Sequence, residues 1–244
     1  MKMNAPPNFD RLARIYRWME MASFGTWLSR CRYAFLPEIA KSGNALVLGD
    51  GDGRFTARLL DANPVVQIDA VDASPAMLRA LIRRAGPHGD RIRTHLADAR
   101  QVQAATLSQS SPCDLIVTHF FLDCLTTEEV ESLAAKLRAI VSPSGLWLVS
   151  EFAIPAGWFG RLVAAPLVSG LYLAFAWLTG LSVRSLPDHR SALRAAGFAL
   201  QQRRAWLGGL LVSELWSASS PHSSGKHTPR PQDRRISDCG MILS

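Results

Sequence analysis

Residues 44 to 56 read Asn-Ala-Leu-Val-Leu-Gly-Asp-Gly-Asp-Gly-Arg-Phe-Thr, a short apolar run entering a loop with glycine at 49, 51 and 53. A buried strand that passes through closely spaced glycines into a helix is the opening unit of an α/β sheet. Glycine lets the backbone turn tightly and lie against a ligand, so the loop reads as a nucleotide cradle.

Spacing and charge narrow the nucleotide. The dinucleotide fingerprint is G-x-G-x-x-G, with a pyrophosphate on the helix N-terminus. Here the third glycine comes one residue early and Arg54 follows it. The residues between the glycines are Asp50 and Asp52, whose carboxylates would repel a pyrophosphate in a confined site. A cationic ligand suits the loop better, and S-adenosylmethionine carries a sulfonium and an ammonium but no phosphate.

Downstream segments continue the pattern. Val65 to Val71 reads as a second buried strand ending at Asp72, a carboxylate about 20 residues past the glycines and suited to ribose hydroxyls. Ser74 caps a helix with Pro75 first and Met77, Leu78, Leu81 and Ile82 at helical spacing. Arg91 to Leu96 is a third strand, closed by Ala97-Asp98-Ala99. Over roughly residues 10 to 216 the chain resembles the class I S-adenosylmethionine-dependent methyltransferases. The residues that carry the resemblance are Val47-Leu48-Gly49-Asp50-Gly51-Asp52-Gly53, Val71-Asp72-Ala73-Ser74-Pro75-Ala76-Met77-Leu78, Ala97-Asp98-Ala99 and Asp114-Leu115-Ile116-Val117.

The resemblance implies S-adenosyl-L-methionine as cofactor, with Gly49, Gly51 and Gly53 against its methionine part, Asp72 on the ribose and Asp98 near the adenine amine. Asp50, Ala73 and Ala99 complete the expected cofactor set, and Tyr16 is the residue of the N-terminal lobe expected to reach it. One position departs from the family: an acidic residue usually stands two places before the first glycine, where this chain has Val47. Asp50 or Asp52 is then the substitute for the amino-acid end of the cofactor.

A chain of 244 residues suffices for one α/β domain with a full core. Cysteines 31, 113, 124 and 239 are scattered, with neither C-x-x-C nor a His/Cys cluster at metal spacing, so no metal and a reducing compartment are expected. The first thirty residues hold no continuous apolar stretch of signal-peptide type, which makes the cytoplasm the default location. The net charge is +7, and residues 1 to 43 carry seven Lys/Arg against three acids. That basic lobe is either a solvated helix face or a surface for nucleic acid or an anionic membrane.

The strand and helix alternation gives a doubly wound, mainly parallel sheet with helices on both faces, and the resemblance implies that it has seven strands. The resemblance implies that the last strand is antiparallel. An N-terminal helical lobe, residues 1–43, reads as two helices over Phe9 to Ile39 broken near Ser23-Phe24-Gly25. The cofactor-binding domain covers 44–216. Within it, Cys113 to Phe121 is a fourth strand, and Thr126 with Glu129 forms a capping box for a helix through Val141. Pro143-Ser144-Gly145 turns into a fifth strand, Leu146 to Phe152. Pro187 to Ala196 is a helix stopped by Gly197, and residues 198–206 and 209–216 make a closing hairpin through Gly208-Gly209. Residues 217–244 are too polar to bury a core and read as a disordered tail.

Residues 155–184 form an apolar helical insertion before the last helix, and Leu162 to Leu181 contains no charge. A 20-residue helix of this kind is about 30 Å long, enough for a bilayer. A crossing would nevertheless strand the closing hairpin on the far side, so the segment is expected to pack on protein. As a lid it implies a small lipophilic acceptor, with contact at a membrane surface open; otherwise it covers the sheet or a dimer interface.

For catalysis, His119 lies where the fourth strand leaves the sheet, and Asp123, four residues on, is placed to orient it or meet the acceptor. The alternative for His119 is a hydrogen-bonded strand-end residue. His189 reads as a capping or surface residue, Phe120 and Phe121 as pocket or core aromatics, and Glu151 as a further candidate at the end of the fifth strand. Two other functions fit the residues: an RNA methyltransferase, through the basic lobe and tail, and a non-catalytic methyltransferase-fold protein at a membrane surface, through Val47.

Overall fold

The computed structural model describes residues 26–100, 112–155 and 186–219, with isolated positions between 157 and 170. Its helices are α1 (Thr26–Arg32), α2 (Leu36–Ile39), α3 (Arg54–Ala62), α4 (Pro75–Ala85), α5 (Thr127–Ile140) and α6 (His189–Ala195). Its strands are β1 (Asn44–Leu48), β2 (Gln67–Asp72), β3 (Ile92–Leu96), β4 (Cys113–His119), β5 (Val141–Phe152), β6 (Phe198–Trp206) and β7 (Leu211–Ala218). They form one seven-stranded sheet in the order β3-β2-β1-β4-β5-β7-β6. The pairings among β1 to β5 are parallel, whereas β7 runs antiparallel to both β5 and β6, so the sheet is mixed. The chain winds outward from β1 to β3, then returns to β4 and winds the other way. The carboxyl ends of β1 and β4 therefore flank a topological switch point, the place where open α/β sheets bind ligands.

Two-residue alternation sorts the strand side chains into two cores, as expected of a sheet covered on both faces. Leu46, Leu48, Ile116, Trp147, Val149 and Trp216 point to one side and pack with α5 and α6 through Val130, Leu133, Leu137 and Leu193. Ala45, Val47, Ile68, Leu115, Val117 and Leu148 point to the other and meet Ile39 of α2, Phe55 and Leu59 of α3, and Leu81 of α4.

The helix starts follow from capping chemistry. The Met77 amide donates to Ser74 Oγ at 3.3 Å, and Thr126 and Glu129 exchange bonds of 2.9 and 3.2 Å. Asp188 caps α6 by accepting from the Ser191 amide at 3.1 Å.

Several boundaries differ from the sequence expectation for local reasons. β2 starts at Gln67 because Asn63 Oδ1 accepts from the amides of Val65 and Val66, closing a turn that leaves Val65 66% exposed. β4 stops at His119 because Phe120 adopts φ +52° and swings the chain out of the sheet. The Pro143-Ser144-Gly145 turn is a bulge inside β5: Cys113 pairs with Val141, but Leu115 already pairs with Leu146. β7 extends to Ala218, past the boundary expected at 216. Tyr16, most of the 155–184 insertion and the tail beyond Ser219 lie outside the described residues. No helix among the described residues is long and apolar enough to cross a membrane.

Candidate active site

The glycine turn sits at the carboxyl end of β1, with φ of +68°, +61° and +78° at Gly49, Gly51 and Gly53. Its three glycines have different neighbours. A Cβ on Gly49 would lie 2.4 Å from the Phe121 ring, and one on Gly53 would lie 2.7 Å from Cα of Leu81 in α4. A Cβ on Gly51 would meet nothing nearer than Met77 Sδ at 4.0 Å. Gly49 and Gly53 thus permit close packing within the protein, while Gly51 borders open space.

Two carboxylates, Asp50 and Asp72, stand beside the turn at adjacent strand ends. Asp50 Oδ2 accepts from the Thr56 amide in the first turn of α3 at 2.8 Å, and burial pushes its carboxyl up. Asp72 Oδ1 accepts from the Ser74 amide at 2.8 Å. Burial, with the charge of Asp50, pushes the Asp72 carboxyl up to about 6. The charge of Asp50 disfavours ionisation of Asp72, an effect that a bound cation would relieve.

Asp52, the other acid offered for the amino-acid end of the cofactor, is engaged by two arginines. Arg84 donates to its Oδ2 at 2.8 Å and to its carbonyl at 2.9 Å, and Arg54 stands 3.3 Å from the same carboxylate. Val47 is buried in the sheet between Ala70 and Val117. Asp98 lies where β3 ends alongside β2, since the Ala97 amide donates to the Asp72 carbonyl at 3.1 Å. Burial would raise the Asp98 carboxyl, but the guanidinium and amide of Arg100 hold it below its ordinary range. Ala73 is exposed beside Asp72, and Ala99 is buried.

His119 ends β4 on the α3 face. Its ring meets Phe55 edge-on with centroids 4.4 Å apart, and neither ring nitrogen has a hydrogen-bond partner among the described residues. Burial, reinforced by the charge of Arg32, holds its pKa well below 6.5, so the imidazole is neutral. Asp123 does not orient it. The turn at Phe120 carries the chain toward the α5/α6 face, where Asp123 interacts with His189, Glu151 and Cys124. Burial pushes the Asp123 carboxyl up to about 6.

Two acids on this second face were under-read in the sequence. Glu151 is 1% exposed, and its Oε1 accepts from the amides of Phe121 and Leu122 at 3.2 and 2.9 Å. Burial and the neighbouring Asp123 charge push its carboxyl well above the usual range. Glu214, fully buried in β7, takes bonds from His189 Nε2 at 3.2 Å, Arg190 Nε at 2.8 Å and Trp216 Nε1 at 3.2 Å, with Arg203 at 3.3 Å. His189 is therefore an inward-facing hydrogen-bond partner of Glu214 rather than a surface residue. Burial would raise Glu214, yet His189 and Arg190 bring it down to about 2. The signal for this cluster was a lone acid in an otherwise apolar strand.

The sheet order with a reversed last strand and a glycine turn at the switch point defines a methyltransferase-type α/β fold. The mitomycin 7-O-methyltransferase MmcR superposes with TM-score 0.65 at 14% identity, over 86% of this chain and 60% of that one. The S-adenosylmethionine-dependent methyltransferase SibL superposes with TM-score 0.58 at 22% identity, over 90% of this chain and 64% of that one. The chain thus spans somewhat under two thirds of either structure. The family model described as a methyltransferase domain matches residues 45–145. The ubiquinone/menaquinone biosynthesis C-methyltransferase UbiE of Syntrophotalea carbinolica is 28% identical over 204 residues, which are 78% of this chain and 80% of the relative. Residues 45–145 thus match a methyltransferase domain, and the chain is similar to S-adenosylmethionine-dependent methyltransferases in sequence and fold.

Proposed function

We propose that this enzyme methylates a small apolar acceptor, with the cofactor held between the glycine turn and Asp72 and the acceptor at the carboxyl ends of β4 and β5. The observation that carries the proposal is the placement of Gly51, which has nothing nearer to a Cβ than Met77 Sδ at 4.0 Å, beside Asp50 and Asp72 at the switch point. These groups fit S-adenosylmethionine: Gly51 leaves room for close approach, Asp50 complements a cation, and Asp72 offers an acceptor to ribose hydroxyls. When bound, the cofactor supplies a methyl carbon already activated by its sulfonium.

The chain then has to hold the acceptor in line with that methyl and keep water out. Positioning of this kind is worth up to about 7 to 11 kcal/mol. His119, neutral and without a hydrogen-bond partner among the described residues, is suited to accept a hydrogen bond from an acceptor hydroxyl and to take its proton. An apolar acceptor is supported by exposed Ile154, Trp158 and Leu162 just beyond β5 and by the uncharged run from 162 to 181.

Titration calorimetry with S-adenosylmethionine and with NAD tests the cofactor site, and a labelled-methyl screen against lipid extracts tests the acceptor. Binding of NAD, or of neither compound, would overturn the cofactor assignment. Label entering only water-soluble polar compounds or RNA would overturn the apolar acceptor.

A further inference from the structure

We infer that Glu151 is a positioning residue for the cofactor cradle, acting through the turn after β4 and the Phe121 ring. The inference rests on reading the Gly49–Gly53 turn as that cradle. Phe120 leaves the sheet with φ +52°, a conformation bulky L residues disfavour, so something must hold the turn. Its own amide donates to the Ser150 carbonyl at 2.7 Å, and the next two amides, of Phe121 and Leu122, both donate to Glu151 Oε1. One buried side chain from the end of β5 therefore fixes two consecutive peptide groups beyond the end of β4.

The consequence reaches β1. With its backbone pinned, Phe121 lays its ring so close to Gly49 that a methyl group there would overlap it. Gly49 is in turn tied to β2, its amide donating to the Val71 carbonyl at 3.0 Å. The ring thus forms one wall against the first glycine of the turn, and Glu151 sets where that wall stands. Oε1 accepts both of these bonds, while Glu151 Oε2 is buried without a hydrogen-bond partner among the described residues. An uncharged amide can do the same work: a glutamine oxygen would accept both N–H groups.

The test compares Glu151→Ala, Glu151→Gln and Phe121→Leu, reading S-adenosylmethionine affinity by calorimetry and the exchange of the Phe121 and Leu122 amides by NMR. Loss of the two bonds in E151A is expected to speed both amides and raise the Kd about tenfold. E151Q should keep slow exchange and a Kd within about twofold of wild type. F121L should weaken binding like E151A, and the double variant should lose less than the two losses combined. A structural role alone would lower the melting temperature of E151A and leave its Kd unchanged, which overturns the inference; so would E151Q binding as weakly as E151A. If E151A does not fold, F121L decides, and wild-type affinity in F121L overturns the proposal. Wild-type protein that binds no S-adenosylmethionine overturns the cradle reading itself, whereas wild-type binding with an equally tight E151A overturns only the role of Glu151.

Discussion

Replacing Gly51 and Gly53 separately by alanine should separate the two jobs of the turn. Both residues have positive φ, so either alanine is expected to cost about 1 to 2 kcal/mol from the left-handed backbone alone. Gly53→Ala adds a collision: its methyl would sit 2.7 Å from Cα of Leu81, a backbone atom that cannot rotate away. Overpacking of this kind costs a further ~1 to 3 kcal/mol, for a total of roughly 2 to 5. That is a large share of a typical stability of about 5 to 15 kcal/mol. Gly51→Ala meets only Met77 Sδ at 4.0 Å and should lose no more than the backbone penalty. Its methyl instead enters the space assigned to the cofactor and should raise the S-adenosylmethionine Kd about tenfold, or ~1.4 kcal/mol. Urea unfolding measures the first effect and titration calorimetry the second. Equal destabilisation by both substitutions, or undiminished affinity in G51A, would refute this division of labour.

Asp72→Asn should weaken S-adenosylmethionine binding yet stabilise the free protein, more at pH 7.5 than at pH 5. A carboxyl raised to about 6 contributes stability that is complete below its unfolded value and lost as pH rises through 6; equal melting shifts at both pH values would contradict this. Glu214→Gln should destabilise by about 2 kcal/mol near neutrality by removing the charge that Arg190 and Arg203 bond. Because Glu214 is held down to about 2, that difference should be present above pH 4.5 and fade as pH falls toward 2 in denaturation curves. His119→Ala should lower kcat about a hundredfold with little change in cofactor affinity, and turnover at the wild-type rate would remove it from the chemistry.

The parts of this fold legible in the sequence are those governed by neighbours in the chain. The glycine turn, the Ser74 cap with Pro75, the Thr126–Glu129 box and the Gly197 stop all follow from residues within four positions of one another. What escaped depends on which side of the sheet a residue faces and on distant partners. Asp50 and Asp52 look equivalent in the loop, but only the fold brings Arg84 from α4 onto Asp52. His119 and Asp123 look like a pair four residues apart, but the positive φ at Phe120 sends them to opposite faces. Glu214 reads as an odd acid in a strand until α6 delivers His189 and Arg190.

The placement of β7 between β5 and β6 bears on how the chain is made. During synthesis β1 to β5 can assemble in order of emergence, yet the β5 edge, with Trp147 and Leu148 flanking it, has no partner until Ala218 has left the ribosome. An unpaired apolar strand edge is an invitation to aggregation, and long-range strand insertion is slow. Nascent chains halted before residue 211 should therefore recruit chaperones, and release of those chaperones should coincide with insertion of the final strand.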